Sequence, residues 1–166
     1  METHDEVDRI IAAWQRERPD LDVTPLAILS RVSRLNRHLD RARREIFAIN
    51  HLEPWEFDVL SALRRAGTPY TMSPGALVTE TMVTSGTMTN RIDRLAKRGL
   101  VERKPSPDDR RGVHVRLTTE GQDRVDTAIK ELLDIEHRVL AVLPDASQPE
   151  LANLLRALTQ QFENLT

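Results

Sequence analysis

The 166-residue sequence contains no cysteine. That excludes disulfide scaffolds, cysteine-ligated zinc, thiol nucleophiles and cysteine-based redox sensing, and makes a reducing cytoplasm the default compartment. Long apolar runs are missing as well. No stretch approaches the ~20 residues that span a bilayer, so no membrane partner is expected. The acidic start, Met1-Glu2-Thr3-His4-Asp5-Glu6, lacks the apolar core of a signal peptide. Glycine-rich phosphate loops and nucleophile motifs are absent. The five histidines, His4, His38, His51, His114 and His137, fall at no metal-ligand spacing. Neither an enzyme nor a protein with a cofactor or metal is expected. Internal repeats, low-complexity tracts and flexible linkers are also lacking.

What is present is the composition of a globular protein, 39% apolar and 30% charged. The net charge of −2 hides an uneven layout. Between Ser85 and Leu117 stand nine bases, Arg91, Arg94, Lys97, Arg98, Arg103, Lys104, Arg110, Arg111 and Arg116, against four acids, for a local charge of +5. The remainder carries −7. A basic block on a mildly acidic chain is the footprint of a polyanion-binding face.

Hydrophobic periodicity orders the rest. A first helix runs from about Asp5 to Arg18, with Val7, Ile10, Ile11 and Trp14 on one stripe and Pro19 as its stop. A longer helix runs from about Pro25 to Asn50. Its apolar positions, Ile28, Val32, Leu35, Leu39, Ala42, Ile46 and Ile49, repeat as a heptad, with His38 next to that face. A third helix spans about Glu53–Arg65. Two short helices follow, one opening at Ser73-Pro74 and one running from Ser85 to Gly99 with Met88, Ile92 and Leu95 inward. The period then changes to two. Val101–Lys104 and Val113–Leu117 read as a two-stranded hairpin around a polar turn. A second heptad helix starts near Thr119 and carries Val125, Ala128, Leu132, Ile135, Val139 and Val142. A last amphipathic helix carries Leu151, Leu154, Leu155, Leu158 and Phe162. The terminal stripes have little to bury against in one chain, so a homodimer is expected. The fold class is mainly α with a small β wing. Residues 1–52 and 119–166 form a dimerisation region around a 53–118 winged helix-turn-helix.

Two short helices, a tight turn and a basic hairpin form an arrangement that places its second helix in a DNA major groove. The outward face of that helix offers Ser85, Thr87, Thr89, Asn90 and Arg94 to base edges and phosphates. The hairpin tip offers Arg110 and Arg111, braced by Asp109, to a narrow minor groove or the backbone. Arg103 shares a strand face with the inward Val101, and Asp58 on the third helix is its expected partner. Arg91 flanks the buried Met88-Ile92-Leu95 stripe rather than the DNA-facing edge.

The run Asn90-Arg91-Ile92-Asp93-Arg94-Leu95-Ala96-Lys97-Arg98-Gly99-Leu100-Val101-Glu102-Arg103 resembles the recognition helix and first wing strand of the MarR family. Asp108-Asp109-Arg110-Arg111-Gly112, followed by Leu117-Thr118-Thr119-Glu120-Gly121, resembles its wing and the start of its next helix. The resemblance implies a bacterial, nucleoid-associated transcriptional repressor, a homodimer on a palindromic operator, released by a small anionic or phenolic ligand. Trp14, Asp58, Arg91 and Arg103 together resemble the urate-responsive branch of that family, as does the Glu17-Arg18-Pro19-Asp20-Leu21-Asp22 segment. That branch implies a planar anion held by Trp14 and Arg91, which displaces Asp58, disturbs its tie to Arg103 and shifts the recognition helix. Another purine or a carboxylate is an alternative ligand. An architectural DNA-binding protein that ignores small anions is the alternative function, and an arginine-bearing wing argues against a protein-interaction winged helix.

Overall fold

In the computed structural model, which describes residues 4–105 and 112–164, the chain divides into two units, Met1–Ile49 and Asn50–Thr166. The first unit holds α1 (Glu6–Glu17) and α2 (Leu26–Ile49). Asp5 caps α1 by accepting from the Val7 and Asp8 amides at 2.8 and 3.1 Å, while the Asp8 carboxylate accepts from the Asp5 amide at 2.8 Å. This reciprocal box satisfies donors that a helix start otherwise leaves unpaired. Arg31 on α2 donates to both carboxylates, at 2.9 and 3.0 Å to Asp5 and 2.7 Å to Asp8, and Arg34 pairs with Glu6. These exposed contacts set how the two helices meet, with modest energy each. Along the α2 heptad only Ile46 is buried; Ile28, Val32, Leu35 and Ile49 are 40–71% exposed.

The second unit begins with α3 (Pro54–Arg65) and continues through β1 (Thr71–Met72), α4 (Pro74–Thr81), α5 (Ser85–Lys97), β2 (Val101–Pro105), β3 (Val113–Leu117), α6 (Thr119–Leu140) and α7 (Ser147–Glu163). The helices lie within a few residues of the sequence reading. The sheet differs from it: three antiparallel strands in the order β1-β3-β2 replace the expected two-stranded hairpin. Thr71 pairs with Arg116 and Met72 with Val115. A two-residue strand carries no periodicity of its own, so only its partner reveals it.

The core of this unit is assembled from one face of each element. Val59, Leu60 and Leu63 of α3, Leu77 of α4, Met88, Ile92 and Leu95 of α5, Val115 of β3 and Val125 and Ala128 of α6 are buried. Helix ends are signalled chemically. Ser73 and Thr84 cap α4 and α5 through the Ala76 and Thr87 amides. Gly99, at φ 71°, ends α5 while its amide bonds Ala96 O and the Leu100 amide bonds Leu95 O. Thr118 then caps α6 and donates to Gly99 O at 2.7 Å, binding the two helix ends together. Gly121 is required there, because a Cβ would lie 2.1 Å from Leu100 O. By contrast, α7 buries none of its residues, and Leu154 and Phe162 are 59 and 62% exposed.

Candidate nucleic-acid interface

Met88, Ile92 and Leu95 anchor α5 into the core, so the opposite side of that helix must face solvent. Ser85, Thr87, Thr89, Asn90 and Arg94 are all exposed there. Two hydroxyls are already engaged. Thr87 Oγ1 shares a 2.9 Å hydrogen bond with Thr84 Oγ1, and Thr89 donates to Ser85 O at 3.0 Å. A base edge or phosphate must therefore be met by the second lone pairs of these groups, by Ser85 and Asn90, or by Arg94.

The most organised part of this face is one that sequence reasoning missed. Trp55, in the first turn of α3, lies beneath two arginines of α5. The guanidinium carbons of Arg94 and Arg91 are 4.7 and 5.5 Å from its ring centroid. The indole N–H donates to Glu53 Oε2 at 2.7 Å, and Arg94 donates to Glu53 Oε1 at 3.1 Å. Trp55, Gly86, Thr87, Asn90, Arg91 and Arg94 line an open cleft of about 400 Å³. From sequence, Trp55 is only one of the apolar residues of the third helix, with Val59, Leu60 and Leu63. The available clue was its N–H, which demands an acceptor, placed two residues after a glutamate.

Next to it a buried carboxylate pairs with a partly exposed arginine. Glu56 is 1% exposed and pairs with Arg98, while its carboxylate also accepts from the Glu53 amide at 2.9 Å. Arg98 donates its other amino group to His51 O at 2.6 Å. One end of α5 is thus fastened to the start of α3 through charge-assisted hydrogen bonds.

Two sequence expectations need correction. Arg103 is exposed and donates to Asp93 Oδ1 at 2.6 Å, so its partner is on α5 rather than Asp58 of α3. Strand alternation fails because burial in β2 stops after Val101; beyond it the wing leaves the core and both faces are wet. Arg91 does not stand apart from the DNA-facing edge. It is half-buried and opens into the same cleft as Thr87, Asn90 and Arg94, because a four-residue step from Thr87 keeps it on that face. Asp58 is exposed on α3. Trp14 lies in the first unit, 47% exposed, in an apolar cleft with Leu21, Val23 and Leu26. Arg110 and Arg111 fall outside the described residues. Among the described residues, no group of acids and histidines could hold a metal ion and no helix is long and apolar enough to cross a membrane.

Comparison with known proteins agrees with this geometry. Residues 52–112 match the MarR family. The chain is 36% identical over 159 residues to the HTH-type transcriptional regulator PecS of Dickeya dadantii, covering 96% of both proteins. A cysteine-to-serine mutant of MarR from Escherichia coli, crystallised in complex with operator DNA, aligns with a TM-score of 0.66 at 30% identity, over 83% of this chain and 99% of that one. AbsC from Streptomyces coelicolor shares the fold, with a TM-score of 0.75 at 21% identity over 87% of this chain and 97% of that one. Similarity at this level along nearly the whole chain, joined to a helix-turn-helix whose second helix presents a polar, arginine-bearing face, places the protein in the MarR family of DNA-binding transcriptional regulators, which are not enzymes.

Proposed function

We propose that the protein is a ligand-responsive repressor that binds a palindromic operator as a homodimer and is released by a small planar anion, urate or a related purine. The observation that carries the DNA-binding half is the α5 face, where Asn90, Arg91 and Arg94 open to solvent on a helix anchored by Met88, Ile92 and Leu95. In this reading α5 enters the major groove, and Arg110 and Arg111 extend the contact to the minor groove or backbone. The apolar side chains left exposed on α2 and α7 support assembly with a second copy. Two-fold pairing of the recognition helices is what a palindromic operator requires.

The anion half rests on Arg91. Its half-buried guanidinium has no carboxylate partner among the described residues and lies against an aromatic ring. A planar anion with stacking surface suits such a group. Trp14, Asp58 and Arg103 complete the set of residues that we assign to the ligand response. Arg103 contributes through its tie to Asp93, which joins the first wing strand to the recognition helix.

The test is a mobility-shift titration on duplex from upstream of the protein's own gene, with urate, xanthine, salicylate and citrate added separately. Release by urate or xanthine is expected, with Trp14→Ala still retarding DNA but no longer responding, and Arg91→Ala retarding DNA more weakly and no longer responding. Release by none of the four would leave an architectural DNA-binding protein. Failure to retard any duplex at low ionic strength would remove the reading altogether.

A further inference from the structure

Beside Arg94 stands a carboxylate that DNA binding alone gives no reason to place there. Resting on the DNA-binding reading above, we propose that Glu53, together with Trp55, is a positioning residue that fixes the direction of the Arg94 guanidinium and so sets the base selectivity of α5. An exposed arginine on a helix samples many rotamers, and a sampled charge contacts any phosphate equally well. Here two contacts remove that freedom. The Trp55 ring, 4.7 Å from the guanidinium carbon, fixes its plane. Glu53 Oε1, 3.1 Å from Nη2, fixes its rotation within that plane. The platform is itself anchored, because Glu53 Oε2 holds the indole N–H at 2.7 Å.

One carboxylate thus orients both the ring and the cation stacked on it. A guanidinium has five N–H donors in a rigid fork, and Glu53 engages one of its nitrogens. The remaining donors are left for a partner with two acceptors at matching separation, which on a base edge means guanine O6 and N7. Glu53 has a second effect through its charge. It is 57% exposed on a surface that meets polyanions, so it opposes phosphate contacts of every sequence alike. The two effects act in the same sense: binding to arbitrary duplex is weakened, and the preference for one base pair is sharpened.

Two substitutions separate orientation from charge. Glu53→Gln keeps the length but removes the charge and one of the two acceptor oxygens, so it cannot hold Trp55 and Arg94 together. Glu53→Asp keeps the charge but is one methylene too short to hold Trp55 and Arg94 together. The wild-type chain and both variants would each be used to enrich duplexes from a randomised pool. Their affinities for the wild-type consensus and for a scrambled duplex would then be measured at one salt concentration. The glutamine variant is expected to bind scrambled duplex several-fold more tightly and to lose about tenfold in discrimination, the scale of one bidentate base contact. The aspartate variant is expected to lose the same discrimination without the gain on scrambled duplex. The loss should fall on a single G·C position per half-site. Unchanged discrimination in both variants, or a uniform fall on both duplexes, would overturn the proposal. A wild-type chain that enriches no sequence would instead remove the regulator reading on which it rests.

Discussion

Replacing Arg98 by methionine keeps an unbranched apolar stem but removes the guanidinium and its charge, leaving the Glu56 carboxylate inside the protein with one hydrogen bond, from the Glu53 amide at 2.9 Å. Breaking a fully buried ion pair from one side costs about 3–5 kcal/mol. Here Glu56 is 1% exposed but the Arg98 side chain is 35% exposed, so water can partly replace the lost cation. The expected penalty is therefore about 2–3 kcal/mol, a fall in Tm of roughly 4 to 12 °C for a chain of this size. Glu56→Gln should cost only about 1 kcal/mol, because Arg98 keeps His51 O and reaches solvent. The double variant should be more stable than Arg98→Met alone, since no uncompensated charge remains inside. Urea titrations of all three, read by circular dichroism, give the comparison. A penalty below about 1 kcal/mol for Arg98→Met, or a double variant no better than it, would show that the pair is not what fastens α5 to α3.

Gly121→Ala tests the other fastening. The new methyl would meet Leu100 O at 2.1 Å and Leu117 Cδ1 at 3.0 Å, so the urea midpoint should drop by the equivalent of about 3 kcal/mol; the gain of up to about 1 kcal/mol normal for a glycine-to-alanine change in a helix would refute the close approach. The Asp5 carboxyl is held down to about 2 from 3.8, first by the hydrogen bond from Arg31 and then by the Asp8 amide. A depressed pKa contributes stability that is complete above the unfolded value and disappears as pH falls through the folded one, so the α1–α2 pairing should weaken between about pH 4 and pH 2. Asp5→Asn keeps an efficient cap but not the charge. Its helical signal should change less across that window, and curves that superimpose with wild type would refute the assignment.

Periodicity made most of the fold legible. Heptad and amphipathic stripes mark α1, α2, α5, α6 and α7, and Ser73 and Gly99 mark ends that hydrogen bonding in the structure explains. What escaped depends on neighbours distant in sequence. β1 exists only because β3 offers Val115 and Arg116 to pair with it. The Arg103 partner was misread because alternation was extended into a part of β2 where neither face is covered. The candidate site divides in the same way. Exposed residues on one helix face, Ser85, Asn90 and Arg94, follow from the buried stripe alone. Trp55 and Glu53 lie 39 and 41 positions from Arg94, and helical spacing carries no information on contacts of that range.

The charge of the basic segment takes on a different meaning once its partners are visible. Counted along the sequence, the 85–117 block has nine bases and four acids. In space, Arg94 and Arg98 are met by Glu53 and Glu56, which lie outside the block, Arg103 is met by Asp93, and Lys104 and Arg116 share Glu102. Among the described residues only Arg91 and Lys97 of that block lack an acidic partner. An arriving phosphate must therefore compete with a carboxylate for most of these cations, and the exchange recovers only a fraction of the energy that a free arginine would give. A surface built in this way gains less from charge alone. It discriminates through the few geometries in which a partner can outcompete the resident acid, which suits a protein that must leave most DNA alone.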